Sequence, residues 1–239
     1  GSIPQGFKMA LTLEHRVFVV TGGFGTLGRA LAEVLGHQGG RLALIDRAQI
    51  PPDMHETDRT SLIGGLDLGG QAALEGALLP IVQRWQRIDG LVNVAGGFAW
   101  EQFGQGSLET WDRMYSMNLR SAVAASQAVL PHLSAGGRIV NVGAMAAIKA
   151  AGGMGAYAAS KAGVLRFTEA LAEELKDRGV TVNAVLPSII DTPGNRADMP
   201  KADFNRWVTP QALSHVVAFL LSDDAAAITG ACLPVTGRV

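Results

Sequence analysis

Short apolar runs of four to seven residues, rich in Val, Ile and Leu, alternate along the chain with longer segments whose apolar positions recur every three or four residues. This alternation is expected of βαβ units wound around a parallel sheet buried on both faces. The runs predict strands over 17–21, 41–45, 62–66, 90–94, 138–142, 181–186 and 232–235. The helical periods predict helices over 27–38, 71–86, 108–133, 157–178 and 210–222. Gly39-Gly40, Gly136-Gly137 and Gly179 each follow a periodic segment, where a left-handed C-terminal cap is expected. No internal repeat, low-complexity tract or polar linker interrupts the pattern. The expectation is a single α/β domain over 9–239, a Rossmann-type doubly wound parallel sheet of seven strands, with residues 1–8 ahead of Met9 set aside as a tag remnant. The longest aperiodic stretch, 188–208, carries Pro193 and Pro200 and follows a strand's carboxyl end, so it is expected to be a structureless lid or binding loop.

Composition removes several functions from consideration. The 239 residues hold 20 Lys+Arg against 21 Asp+Glu, a formal charge of −1, so no basic excess is available to neutralise nucleic acid or to grip an anionic membrane. No apolar stretch approaches the roughly 20 residues of a membrane span. The single cysteine, Cys232, leaves no internal disulfide and fits a reducing, cytoplasmic setting; at the head of a strand it reads as a small core hydrophobe. Five scattered histidines lack metal-ligand spacing, so no metal is expected.

Candidate chemistry begins after the first predicted strand, with Thr21-Gly22-Gly23-Phe24-Gly25-Thr26-Leu27-Gly28 opening a helix. Glycines here allow backbone to approach a pyrophosphate, whose charge the helix N-terminus stabilises. Asp46 ends the second strand eighteen residues beyond Gly28, close to the spacing at which a carboxylate receives ribose hydroxyls. A carboxylate repels a 2′-phosphate, so NAD(H) is favoured over NADP(H); Arg47, turned inward, would keep NADP(H) open. Tyr157 and Lys161 lie four residues apart at the start of a predicted helix, on one face. A neighbouring ammonium is expected to lower the phenol's pKa toward a range useful for proton transfer.

With these residues the sequence resembles the short-chain dehydrogenase/reductase family along nearly its whole length after Met9. The matching stretches are Thr21 to Gly28, Asp67, Asn93-Val94-Ala95-Gly96, Asn118, Tyr157 with Lys161, and Pro187 with Thr192. The resemblance implies that Tyr157 is the general acid/base, that Lys161 holds the nicotinamide ribose and tunes the tyrosine, and that Asn118 orders a water relay. It also implies that Asp67 with Leu68 meets adenine, that Asn93, Ala95 and Gly96 line the adenosine side, and that Pro187, Ile190 and Thr192 meet the nicotinamide end.

Two positions depart from the family pattern. Thr26 stands where many members have glycine. More consequentially, Ala144 occupies the place of the substrate-orienting serine, thirteen residues before Tyr157. A lost donor to a developing oxyanion costs about 10²–10³ in rate. The branch of quinonoid dihydropteridine reductases also lacks that serine, and the chain is similar to it in Gly143-Ala144-Met145-Ala146-Ala147 and in Asp191 to Arg196 with Phe204 and Trp207. Three readings follow: hydride transfer to or from a small carbonyl or hydroxyl substrate, reduction of a quinonoid pterin-like ring, or a dinucleotide-binding sensor without catalysis. Phe98 and Trp100, with Phe103 beyond them, are expected beside the nicotinamide as part of a substrate pocket with Ala144, capped by Phe204 and Trp207 from the lid. Small residues such as Ala122, Ala125, Ala159 and Gly163 on the helices over 108–133 and 157–178 suit close packing, and the resemblance implies a homodimer or homotetramer paired through them.

Overall fold

The computed structural model describes residues 13–239; the expected tag remnant lies outside them. Seven parallel strands form one sheet in the order β3-β2-β1-β4-β5-β6-β7. They are β1 (Val17–Thr21), β2 (Arg41–Ile45), β3 (Thr60–Ile63), β4 (Ile88–Asn93), β5 (Leu133–Val142), β6 (Thr181–Pro187) and β7 (Cys232–Val235). Alternation along each strand divides the core in two. Phe18 and Val20 point to the face covered by Leu31, Val34 and Leu35 of α1 (Thr26–His37) and by Leu213 and Val217 of α7 (Pro210–Leu221). Val17 and Val19 point to the face covered by α2 (Gln71–Trp85), α4 (Ser121–Val129) and α5 (Gly155–Leu175). Burial on both sides is why β1 and β2 read as near-continuous apolar runs.

Order reverses between β1 and β4, which pair in register up to Thr21 opposite Asn93, while Thr21 also faces Ile45 of β2. The three strand ends therefore open one crevice at the switch point, where open α/β sheets bind ligands.

Several boundaries differ from expectation for visible reasons. The third strand runs over Thr60–Ile63 rather than 62–66, because Gly64 packs against the backbone of Ala48 and Ile50 and Gly65 turns with φ +70°. The fourth begins two residues early, at Ile88. Gly136 caps no helix: with φ +77° it lies within β5, which starts at Leu133. The helix expected over 108–133 is divided into α3 (Leu108–Met114), a π-helical turn over Tyr115–Arg120, α4, and a 3₁₀ turn over Leu130–His132 that contains Pro131. Residues 188–208 are not structureless. They hold α6 (Pro193–Asp198), which Thr192 caps by accepting from Asn195 N–H, and a 3₁₀ turn over Phe204–Arg206. Cys232 is only half buried, because β7 is an edge strand with two of its four residues exposed.

Candidate active site

The crevice is a cleft of about 580 Å³. At its floor the glycines divide their duties. A Cβ on Gly22, where φ is +66°, would stand 2.8 Å from Ala95 N, and one on Gly28 would overlap Gly22 O. Those two glycines are required by packing of the turn itself. A Cβ on Gly25 would meet only Gly22 O, at 3.6 Å, so its missing side chain leaves the cleft open. Helix α1 starts at Thr26 with no side-chain cap and no acidic residue in its first turn. Thr26, Leu27 and Gly28 line the cleft there, and uncapped amides at a helix N-terminus suit an anionic group.

Asp46 lines the same cleft and also supports the glycine turn: one carboxylate oxygen accepts from Phe24 N–H and the other from Ala48 N–H, both at 3.0 Å. Arg47 lines the cleft beside it. Asp67, which accepts from Gly69 N–H at 3.0 Å, and Leu68 form the far wall; Ala95, Gly96 and Thr192 form the opposite one. These residues fit a dinucleotide: open glycine backbone and free amides for a pyrophosphate, and carboxylates at the ends of β2 and β3 for sugar and base.

Asn93 goes elsewhere. Its side chain donates to Asn141 Oδ1 at 2.8 Å, Asn141 donates to Thr168, and Thr168 donates to Val164 O, tying β4 and β5 to α5 inside the protein. Pro187 ends β6 in a buried position, and Ile190 bridges to Val208; neither lines the cleft. Ser116 and Met117 of the π turn and Ser121 at the start of α4 do line it, and so do Pro193 and Gly194. The first three carry no sequence signal, whereas Thr192-Pro193 is a helix-start signature that would have placed the last two.

Asn118 and Lys161 do not line the cleft themselves but meet behind one of its lining residues, Gly96. A Cβ there would lie 2.7 Å from Asn118 Oδ1 and 3.4 Å from Lys161 Nζ. Asn118 grips the next residue from both sides, accepting from Gly97 N–H at 2.8 Å and donating to Gly97 O at 3.0 Å, and it also donates to Ser160 Oγ. Asn118 lies in the π turn, a local helix distortion of a kind frequent at functional sites. The buried Lys161 ammonium donates to Val142 O at 2.8 Å, and burial pulls its pKa down to about 8. Tyr157 lies on the same helix one turn earlier, half buried, and burial holds its phenol above the ordinary range. The lowering expected from the neighbouring ammonium does not appear: desolvation of the phenol alone sets the direction of the shift.

The sequence pattern described as short chain dehydrogenase matches residues 16–203. The chain belongs to the short-chain dehydrogenase family, a family of oxidoreductases. The 3-oxoacyl-acyl-carrier-protein reductase of Vibrio cholerae is 33% identical over 241 residues, spanning 95% of this chain and 98% of that enzyme. Among solved structures, a short-chain dehydrogenase/reductase from Brucella melitensis superposes with a TM-score of 0.87 at 29% identity, over 96% of this chain and 98% of that one. A blue fluorescent protein from a metagenomic library, crystallised with NADPH, gives a TM-score of 0.84 at 30% identity, over 95% and 98%.

In this short-chain dehydrogenase the surface beside Tyr157, called the mouth below, is aromatic, although Phe98, Trp100, Ala144 and Tyr157 do not line the cleft itself. The Phe98 ring meets Tyr157 edge-on, centroids 5.0 Å apart, and Trp100 Nε1 donates to Gly152 O at 3.0 Å. Ala144 is buried at the end of β5 and leads into a 3₁₀ turn over Met145–Ala147. The lid aromatics are placed otherwise than expected. Trp207 is 7% exposed, its ring 4.8 Å from that of Phe204, and Arg196 sits over Phe204 while pairing with Asp191. The two rings anchor the base of the lid, and neither lines the dinucleotide cleft. Ala122, Ala124, Ala125 and Ala158 are buried within the one chain, and Gly163 admits Leu119 against α5. No helix among the described residues is long and apolar enough to cross a membrane.

Proposed function

We propose that this dehydrogenase interconverts a small carbonyl substrate and its alcohol, using NAD(H) in preference to NADP(H), with Tyr157 as general acid/base. The single observation that carries the reading is the meeting of Lys161 and Asn118 at Gly96, a lining residue of a cleft that fits a dinucleotide, with Tyr157 one helical turn before Lys161. The bound cofactor supplies or accepts the hydride. Tyr157, a phenol whose pKa burial only raises further, holds its proton at neutral pH and can give it to a carbonyl oxygen as the C=O electron pair moves onto it. Lys161 carries the charge that stabilises the tyrosinate left behind. Asn118 fixes the backbone of Gly97, next to Gly96 in the cleft wall, by a pair of hydrogen bonds. The assay is NADH absorbance decay over a panel of ketones, aldehydes and quinonoid dihydropterin. Saturable NADH binding without turnover of any member would favour a sensor instead.

Asp46 supports the preference for NAD(H). Asp46→Ala is expected to weaken NADH about tenfold, the loss of hydrogen bonds to a charged group, while Arg47→Ala weakens NADPH alone. Titration by cofactor fluorescence checks both, and wild-type protein that binds NADPH more tightly than NADH would defeat the assignment. Ala144 supports the quinonoid reading as a second possibility, since such a ring needs no pinned oxyanion. Restoring the hydroxyl with Ala144→Ser is expected to speed ketone reduction by about tenfold or more and to leave a quinonoid substrate little changed. Equal gains on both would remove that distinction. A homodimer or homotetramer in a reducing cytoplasm completes the reading.

A further inference from the structure

Exposed large apolar side chains concentrate at one place on the surface. Phe98 and Trp100 are each 59% exposed, Phe103 89%, and Trp111 and Ile148 are exposed as well. Three of these rings border a single short stretch, the approach to Tyr157. Trp100 bonds to Gly152 and covers Gly153, where any Cβ would collide with the indole; Trp111 comes within 3.4 Å of a Cβ on Gly155; Phe98 touches Tyr157 itself. Ile148 follows directly on the turn that begins at Ala144.

The rings are held in place, not loose. Glu101 N–H donates to Gly153 O at 2.8 Å, and the Glu101 carboxylate accepts from Ser107 N–H at 3.0 Å and from Thr110 Oγ1 at 2.8 Å. The loop bearing Phe98 and Trp100 is thereby fastened both to the stretch before α5 and to the start of α3. Exposed aromatic surface that is rigidly supported costs little entropy when a ligand covers it.

Charge at the mouth selects among ligands. Its segments, 98–113 and 145–155, carry Glu101, Glu109 and Asp112 against Arg113 and Lys149, a balance of −1. Such a rim offers no excess cation to a phosphorylated carrier arm or an acidic carrier protein.

Resting on the reductase reading above, we infer that the site takes a flat, uncharged ring bearing its carbonyl on or beside the ring, an aryl ketone or quinone, seated against Phe98 and Trp100, rather than a carrier-bound acyl thioester. Aromatic pairs favour offset or edge-to-face contact, the geometry Phe98 already presents to Tyr157.

The test compares kcat/KM for an aryl ketone such as 1-tetralone with that for a 3-oxoacyl thioester and an aliphatic ketone, in wild type, Phe98→Leu, Trp100→Ala and Trp100→Phe. The wild-type ratio of aryl to aliphatic substrate is expected to be about 10², dropping about tenfold with each lost ring and holding in Trp100→Phe, which keeps a ring but loses the bond to Gly152. A wild-type ratio near one, faster turnover of the thioester, or a ratio unmoved by the ring-removing variants overturns the inference. Tryptophan fluorescence supplies a reading that needs no turnover. Saturable quenching by 1-tetralone that is absent in Trp100→Phe supports the ring site even if no substrate is reduced, an outcome that would instead defeat the reductase reading; no quenching defeats the ring site.

Discussion

Tyr157→Phe is expected to lower turnover of every carbonyl substrate by about 10³-fold, the usual contribution of a positioned general acid, with the dinucleotide still bound. The substitution removes one oxygen and keeps the ring that meets Phe98 edge-on, so the mouth keeps its shape. A phenol is protonated across the neutral range and burial raises its pKa further, so the wild-type residue has a proton to donate. Stopped-flow traces of cofactor absorbance separate the two effects: binding amplitude persists while the decay slows. Retention of more than a tenth of the wild-type rate would remove Tyr157 from the chemistry.

Lys161→Met should abolish activity and yet stabilise the fold. The ammonium is buried at 5% exposure with one carbonyl partner, Val142 O, and its pKa falls from 10.5 to about 8. A fall of that size corresponds to about 3 kcal/mol spent on holding the charge inside, and the lost hydrogen bond returns about 1 kcal/mol, leaving a net gain of about 2 kcal/mol for Met. For a chain of this length the gain raises Tm by about 4–8 °C at pH 7. The sign with pH follows from linkage. Below pH 8 both the folded and unfolded lysine are charged and the full cost applies; between about 8 and 10.5 the unfolded chain holds the proton that the folded one has released, so wild-type stability from this group rises with pH. The advantage of Met must therefore shrink from pH 8 upward. Thermal melts at pH 7 and 9.5 check it, and a variant less stable than wild type at pH 7 would refute the accounting. The same titration should appear in catalysis, because kcat/KM reports the free enzyme: the reductive rate is expected to fall as pH rises through about 8, and Lys161→Arg, which cannot lose its charge, should move that limb upward.

That lysine marks where reading along the chain runs out. Its spacing from Tyr157 predicted a shared helix face, and α5 bears this out from Gly155. Spacing also suggested that the ammonium would depress the phenol. The pKa values instead follow from how deeply each group is buried and from Val142 O claiming the amine, neither of which is encoded within four residues. Asn118 shows the same limit. Its helix was legible, but the π turn that swings it onto Gly97, and Ser116 and Met117 onto the cleft, depends on a backbone twenty-one residues away.

Local chemistry was enough to specify the framework: apolar runs that can be satisfied only between two helical layers, glycines where the turn after β1 admits no Cβ, and a carboxylate one strand over at Asp46. These depend on neighbours in the chain and on the period of strand and helix, so they survive in one dimension. Side-chain direction at the strand ends does not. Asn93 turned inward to Asn141, Trp207 sank beneath the lid, and the rings of Phe98, Trp100 and Trp111 gathered at one mouth because packing between distant segments chose their rotamers. Burial, and with it the charge state of Lys161 and Tyr157, belongs to that same three-dimensional choice, since desolvation is a property of everything surrounding a group and not of the residues on either side of it.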